Sequence, residues 1–312
     1  MAEPAPKFIA LMGCTESGKS SFINCAAASN LVVDHELQSG TSEIQMATMQ
    51  LAGDRITLID TPGFDDIEIP QADILSLIAA FLQQTFAHGT RLTGILYLHP
   101  ISDNRMSDIS LKTYQLFRKL CGDTAMANVI IVTTMWDIVP SEIANVRARE
   151  LRGHYFKDAC DVGARIMRHD NTHKSAVGIL STLLGKPPAA FHIQRQLVEE
   201  HKTVPQTDAG RELASQLDAM YQQQQWRLDV STEEARSTRR HTEEGLQQLR
   251  DELGELRQKL RKTEIERDKL QMAQGDRFHT RLQDVVSQLG RMVYSEMPQG
   301  QRPVRFVVLT FA

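Results

Sequence analysis

The 312-residue sequence is poor in cysteine and contains no long apolar run. Its four cysteines show no C-x-x-C pairing, which argues against both a zinc site and a disulfide framework. No segment provides the roughly 20 apolar residues that a membrane-spanning helix needs, and the first residues contain no apolar signal segment. The formal net charge of −4 gives no reason to expect nucleic acid or an anionic membrane as a partner. These absences favour a cytoplasmic protein whose thiols stay reduced.

A phosphate-binding loop is indicated near the start of the chain by the pattern G-x-x-x-x-G-K-S over residues 13–20. The pattern follows the apolar run 8–12 and precedes a segment typical of a helix, the context in which it predicts phosphate binding. Loop N–H groups and the helix N-terminus would hold phosphate oxygens, Lys19 would reach the β- and γ-phosphates, and the Ser20 hydroxyl would ligate Mg²⁺. The sequence therefore predicts a nucleoside triphosphate bound by Gly13, Thr15, Glu16, Ser17, Gly18, Lys19, Ser20 and Ser21.

Strand and helix patterns alternate along the first 190 residues, which indicates a mostly parallel sheet with helices on both faces. The exception is a pair of strand-like runs, 44–51 and 55–60, joined by Gly53 and Asp54. So short a turn predicts an antiparallel hairpin. A parallel sheet with one antiparallel edge strand resembles the Ras-like G domain. The expected fold class is therefore α/β, a P-loop NTPase domain over residues 5–190.

Two further segments resemble the loops with which G domains sense the γ-phosphate. The D-T-P-G sequence at 60–63 ends a strand, so Asp60 would hold Mg²⁺ through water and the Gly63 N–H would meet the γ-phosphate. The loop before the hairpin needs a hydroxyl for Mg²⁺; Thr41 is our choice, with Ser39 and Ser42 as alternatives. We expect catalytic roles for Lys19, Thr41 and Gly63, and metal contacts for Ser20, Thr41 and Asp60.

Recognition of the base is predicted at the end of a later buried strand, in the sequence T-M-W-D at 134–137. A carboxylate there would accept hydrogen bonds from guanine N1–H and its 2-amino group; adenine lacks both donors, so Asp137 would select guanine. G domains usually have lysine where this chain has Met135, whose side chain could pack along the base without the charge. We expect base contacts from Thr134 and Asp137, with His169 stacking on guanine and Asn171 reaching its O6.

Together, D-T-P-G-F-D-D, T-T-M-W-D, R-H-D-N and the helix that follows resemble the septin-like group of GTPases. Within it the sequence is most similar to immunity-associated (AIG-type) G domains of uncharacterised fungal proteins. The resemblance covers about residues 5–190. It implies binding of GTP and GDP with Mg²⁺, and dimerisation across the nucleotide.

The resemblance also bears on the rate of hydrolysis. Ras-type enzymes have a water-orienting glutamine directly after D-x-x-G, whereas this chain has Phe64, so slow hydrolysis is expected. Immunity-associated GTPases have a G-R-F-T-like sequence at their dimer interface, and this chain has N-R-M-S at 104–107. Arg105 is therefore a candidate catalytic residue supplied to the partner's phosphates; the alternative is an ordinary exposed arginine.

The last third of the chain has a different character. Leucines at 246, 249, 253, 256 and 260 follow steps of three and four, and a second set runs from Phe278 to Met292. Such spacing with charges of both signs indicates either a coiled coil between chains or a helix folded back on the G domain. We expect a helical extension over 191–297 and an apolar, strand-prone tail over 298–312.

The combined expectation is a slow, Mg²⁺-dependent GTPase that switches by nucleotide-dependent dimerisation or scaffolding. It would form a homodimer through the G domain and possibly the coiled coil, with an unknown protein effector. Two alternatives remain open. One is a scaffold that binds nucleotide with negligible hydrolysis, and the other is an ATP-using P-loop enzyme.

Overall fold

The computed structural model describes residues 6–28, 44–66, 69–87, 89–103, 106–237 and 243–272. Two predicted site residues, Thr41 and Arg105, lie outside these ranges. The same holds for the second set of spaced apolar residues and for the apolar tail over 298–312.

A single six-stranded sheet forms the centre of the fold, with strand order β2-β3-β1-β4-β5-β6. All neighbouring strands are parallel except β2, which pairs antiparallel with β3 at the edge. This confirms the predicted α/β fold with one antiparallel edge strand. The strands are β1 Lys7–Gly13, β2 Gln45–Leu51, β3 Asp54–Asp60, β4 Gly94–Pro100, β5 Val129–Thr134 and β6 Arg165–Arg168.

The β2–β3 hairpin turns at Ala52 and Gly53, one residue earlier than the sequence suggested. Both residues have positive φ, 53° and 86°, as the two central residues of a type I′ turn require. The turn matches the right-handed twist of the flanking strands, which is why the edge strand returns antiparallel.

Nine α-helices lie in the described residues, with a π-helical turn at Leu151–Tyr155 and short 3₁₀ turns at Asp123–Asn128, Trp136–Ile138 and Val204–Gln206. The α-helices are α1 Lys19–Ala27, α2 Gln71–Ala87, α3 Asp108–Cys121, α4 Ser141–Glu150, α5 Lys157–Asp161, α6 His173–Leu184, α7 His192–Val198, α8 Asp208–Ser237 and α9 Glu243–Met272.

The central strands are buried on both faces, so their side chains divide between two cores. In β1, Phe8, Ala10 and Met12 point to the core that α2, α3 and α7 cover. Ile9 and Leu11 point to the opposite core, beneath α1 and α6. This division explains why the strand is a continuous apolar run rather than an alternating one.

The first half of the helical extension packs on the core of the G-domain fold. Ile193 of α7 and Leu213 and Leu217 of α8 are buried in the same cluster as α2 and α3. The Gln216 side chain also donates to the Lys112 carbonyl in α3, at 3.2 Å. The proposed division at residue 190 remains a prediction, but the chain beyond it contributes to this core.

Helices α8 and α9 run antiparallel to each other. Asp218 pairs with Arg267 at 2.8 Å, and the Tyr221 hydroxyl donates to Glu264 at 3.2 Å. Leu256, one of the spaced leucines, is buried. In the described part of the extension, these contacts favour the alternative in which the helix folds back on its own chain.

The end of α9 reaches the beginning of α2. Leu270 is buried in the core, and the Lys269 ammonium pairs with the Asp73 carboxylate at 2.8 Å. None of the helices in the ranges given above is long and apolar enough to cross a bilayer.

We predict that Leu270→Ala will weaken the attachment of α9. Truncating a buried leucine removes packing and leaves a cavity, at a cost of about 2–5 kcal/mol. Hydrogen exchange should therefore speed up in α9 and in the first turn of α2. Met272→Ala is the control, since Met272 is 74% exposed. Equal exchange in the two variants would contradict the packing described here.

Candidate functional site

The phosphate-loop pattern folds into a tight connection between β1 and α1. Gly13 has φ 144°, and a Cβ there would lie 2.4 Å from the Leu98 carbonyl oxygen of β4. Gly18, which precedes α1, has φ 91°. Both positions therefore require glycine, which explains the two glycines of the G-x-x-x-x-G-K-S pattern.

Lys19 opens α1 and is buried beneath the loop. Its ammonium donates to the Cys14 carbonyl at 2.6 Å and lies 3.5 Å from the Gly13 carbonyl. Burial lowers the pKa of Lys19, and the nearby Asp60 and Asp65 carboxylates oppose that shift. A buried cation at this point would gain strongly from an anionic ligand, because its hydration has already been lost.

Ser20 and Asp60, both predicted metal contacts, lie together at the carboxyl edge of the sheet. The Ser20 hydroxyl donates to Asp60 Oδ2 at 2.5 Å, and Asp60 is fully buried at the end of β3. A hydroxyl beside a carboxylate is the kind of oxygen donor set that suits Mg²⁺. The residues present therefore fit a magnesium ion shared with a nucleotide.

Gly63, the last residue of D-T-P-G, lies directly against the phosphate loop. A Cβ on Gly63 would lie 2.3 Å from Thr15 Oγ1 and 2.4 Å from Thr15 N. Only glycine allows this approach. The structure thus brings Gly63 to the loop, and the contact of its N–H with a terminal phosphate stays a prediction.

Sequence reasoning missed Asp65, which also contacts the loop. Its Oδ1 accepts a hydrogen bond from Thr15 N–H at 2.5 Å. The preceding Phe64 is fully buried, so the first side chain after D-T-P-G points into the core and not at the loop. The two consecutive aspartates in D-T-P-G-F-D-D are the signal that could have drawn attention to this position.

Cys14 lies inside the loop but is a poor candidate for a reactive thiol. The residue is buried, and this burial, together with the Asp65 charge, raises its pKa to about 11. The thiol therefore stays protonated at neutral pH, where the thiolate is the reactive form.

The strand that ends in T-M-W-D is bonded to the phosphate loop. The Thr134 hydroxyl donates to the Ser17 carbonyl at 2.9 Å, and Thr134 is buried. The Thr134 hydroxyl is therefore bonded to the loop in this structure, and a contact of Thr134 with the base stays a prediction. Asp137 lies three residues on, in an exposed 3₁₀ turn where a base could reach it.

Met135 and Trp136 shape the surroundings of Asp137. Met135 has φ 58°, and the Ser102 hydroxyl lies 3.5 Å from its sulfur. The Trp136 indole N–H donates to the Thr133 carbonyl at 3.1 Å, and the Arg168 guanidinium stacks 4.2 Å above the Trp136 ring. The carboxylate thus sits on a turn held by packed neighbours.

His169 and Asn171 differ in accessibility. The His169 ring is buried, with its centroid 4.8 Å from that of Phe22, and its Nδ1 lies 2.7 Å from the Ser175 hydroxyl. Burial lowers the pKa of His169, which favours the neutral ring. Its stacking on guanine stays a prediction. Asn171 is exposed, with φ 59°.

Comparison with known proteins is consistent with this geometry. A family model described as 50S ribosome-binding GTPase matches residues 8–134, less than half of the chain. The match runs from β1 to the end of β5 and includes the phosphate loop and D-T-P-G. The fold is that of a P-loop GTPase. No curated protein sequence matches the chain.

Among solved structures, the chain is similar to Toc33 from Arabidopsis thaliana in complex with Mg²⁺ and GMPPNP. The identity is 19% over 54% of this chain and 71% of Toc33, with a TM-score of 0.44. It is similar to the bacterial selenocysteine-specific elongation factor EF-Sec at 14% identity, over 58% and 28% of the two chains, with a TM-score of 0.41. It is also similar to Era from Aquifex aeolicus at 16% identity, over 59% of this chain and 58% of Era, with a TM-score of 0.43.

We predict that Thr134→Val will destabilise the protein by about 1–3 kcal/mol, because the buried Ser17 carbonyl loses its donor while the side-chain shape is kept. Urea unfolding without nucleotide measures the change. Thr134→Ser, which retains the hydroxyl, is the matched control and should lose less. If the two variants had the same free energy of unfolding, the hydrogen bond between β5 and the loop would not contribute to stability.

Proposed function

We propose that this protein binds GTP and GDP with Mg²⁺ and hydrolyses GTP slowly. The observation that carries the proposal is the meeting of the Ser20 hydroxyl and the buried Asp60 carboxylate at 2.5 Å, at the start of the helix that Lys19 opens. These groups come from segments 40 residues apart, and their roles in phosphate and metal binding are complementary.

The roles of the chain's residues follow from their positions. Loop N–H groups hold phosphate oxygens, and Lys19 contributes a buried positive charge near the terminal phosphate. Ser20 and Asp60 hold Mg²⁺, with Thr41 as a further expected ligand. When bound, the ion neutralises charge on the β- and γ-phosphates. Gly63 lies close enough to the loop for its N–H to sense a terminal phosphate.

Selection of guanine rests on Asp137. The carboxylate is exposed on a turn at the end of β5, and β5 is tied to the phosphate loop through Thr134. Guanine offers two donors to a carboxylate, and adenine offers none in that position. An adenine would therefore leave the charge without compensation.

Slow hydrolysis is supported by Phe64. The side chain is fully buried and cannot hydrogen-bond a water molecule, so the isolated domain has no glutamine-type water-orienting group directly after D-T-P-G. Membership of the septin-like group, with its closest likeness to AIG-type domains, would add nucleotide-dependent homodimerisation and a protein effector. In that arrangement Arg105 would serve the partner's phosphates.

We expect the purified chain with Mg²⁺ to retain GTP and GDP in preference to ATP. Asp137→Asn should reduce the preference for GTP over ATP by at least about tenfold, because the acceptor for the two guanine donors is lost. The same variant should tolerate xanthine nucleotide better. Competition between labelled GTP and unlabelled nucleotides measures both effects. Failure to bind guanine nucleotide even at millimolar concentration would overturn the proposal.

We expect Arg105→Ala to lower kcat at high protein concentration and leave nucleotide affinity nearly unchanged, since a finger supplied in trans acts only in the dimer. Phosphate release measured over a range of protein concentrations tests this. Arg91→Ala, which removes an exposed arginine before β4, is the control. Turnover that is unchanged by Arg105→Ala would show that Arg105 does not act on the partner's nucleotide. Negligible turnover of the wild type at every concentration would favour the alternative of a nucleotide-binding scaffold.

A further inference from the structure

The Asp65 carboxylate is held by a donor of the phosphate loop itself. Its Oδ1 accepts from the Thr15 N–H at 2.5 Å, across a sequence separation of 50 residues. The backbone brings it there, because Gly63 is pressed against Thr15 and Phe64 is anchored in the core. The positions of Gly63 and Phe64 therefore place the Asp65 side chain beside Thr15.

The position of this contact corresponds to the terminal-phosphate end of the site. Thr15 lies beside Gly63, the residue that approaches the loop where a γ-phosphate is sensed. Asp65 is also close enough to the buried Lys19 ammonium to influence its pKa. The base end lies on the other side, where Thr134 bonds to Ser17 and Asp137 follows.

We propose that Asp65 is a specificity-determining residue that favours GDP over GTP. The inference rests on the proposed guanine-nucleotide function and deepens it. The carboxylate and a γ-phosphate compete for the same end of the loop, and both are negatively charged. A nucleoside diphosphate ends at the β-phosphate and leaves the Asp65–Thr15 contact in place. A triphosphate requires Asp65 to move away.

This arrangement links the number of phosphates to the position of the D-T-P-G loop. Displacing the carboxylate breaks a charge-assisted hydrogen bond to a backbone N–H, which is stronger than a neutral one. The loop that carries Asp65 leads directly into α2, whose first turn contacts the end of α9 through Asp73 and Lys269. Binding of the γ-phosphate would therefore move a segment that adjoins the helical extension.

The test is the ratio of the dissociation constants for GMPPNP and GDP, measured with Mg²⁺ by competition against a fluorescent guanine nucleotide. The wild type should bind GDP more tightly. In Asp65→Asn, which keeps the shape but removes the charge, the ratio should shift about tenfold toward GMPPNP, with GDP affinity little changed. Asp65→Glu keeps the charge and should retain the GDP preference. Asp54→Asn removes a carboxylate at the start of β3, at the opposite end of the strand from the loop, and should behave as the wild type.

Several results would overturn the proposal. One is a wild type that binds GMPPNP as tightly as GDP, which needs no variant. Another is an Asp65→Asn protein, shown to be folded by its thermal unfolding, whose ratio is unchanged. A fall in the single-turnover hydrolysis rate with an unchanged ratio would instead make Asp65 a water-orienting residue. Wild-type protein that binds neither nucleotide would contradict the proposed function itself, an outcome distinct from equal binding.

Discussion

The backbone groups of a phosphate loop cannot bond to each other as they do in a helix or a strand, so the loop depends on partners from elsewhere in the fold. Two such partners come from distant segments: Thr134 donates to the Ser17 carbonyl, and Asp65 accepts from the Thr15 N–H. Just after the loop, Asp60 accepts from the side-chain hydroxyl of Ser20. The geometry of the loop therefore depends on residues that other strands bring to the same edge of the sheet.

The order of the strands explains how these partners meet. β1 lies between β3 and β4, and β5 follows β4, all of them parallel. Their carboxyl ends therefore share one edge, where open α/β sheets place their ligand sites. Asp60 arrives from β3 and Thr134 from β5, on opposite sides of the loop. The segment with the phosphate-loop pattern is in this way connected to the strand ends that carry Asp60 and Thr134.

The helical extension packs on two helices of the α/β fold, α2 and α3. α8 packs on α3, while α9 returns along α8 and contacts the first turn of α2. α2 begins eight residues after Gly63, and its first turn meets the end of α9. Buried Leu270 and the ion pair between Lys269 and Asp73 form this connection.

The sequence by itself determined the fold class, the phosphate loop and the positions of Asp60, Gly63 and Asp137. Each of these depends on residues that are neighbours in the chain: apolar runs that end in glycine or aspartate, and a short turn between two strands. The structure adds the reason for the glycines in the pattern, because Gly13 and Gly18 have positive φ and a Cβ on Gly13 would lie 2.4 Å from the Leu98 carbonyl oxygen.

Only the tertiary structure decided which distant groups meet. It bonded Thr134 to the loop across 117 residues, buried His169 against Phe22, turned Phe64 into the core and brought Asp65 to Thr15. It also packed the described part of α9 against α8 and the first turn of α2, a contact that the heptad spacing left open. Side-chain contacts of this kind depend on how the helices pack on the sheet. Patterns among residues that are close in sequence do not specify that packing.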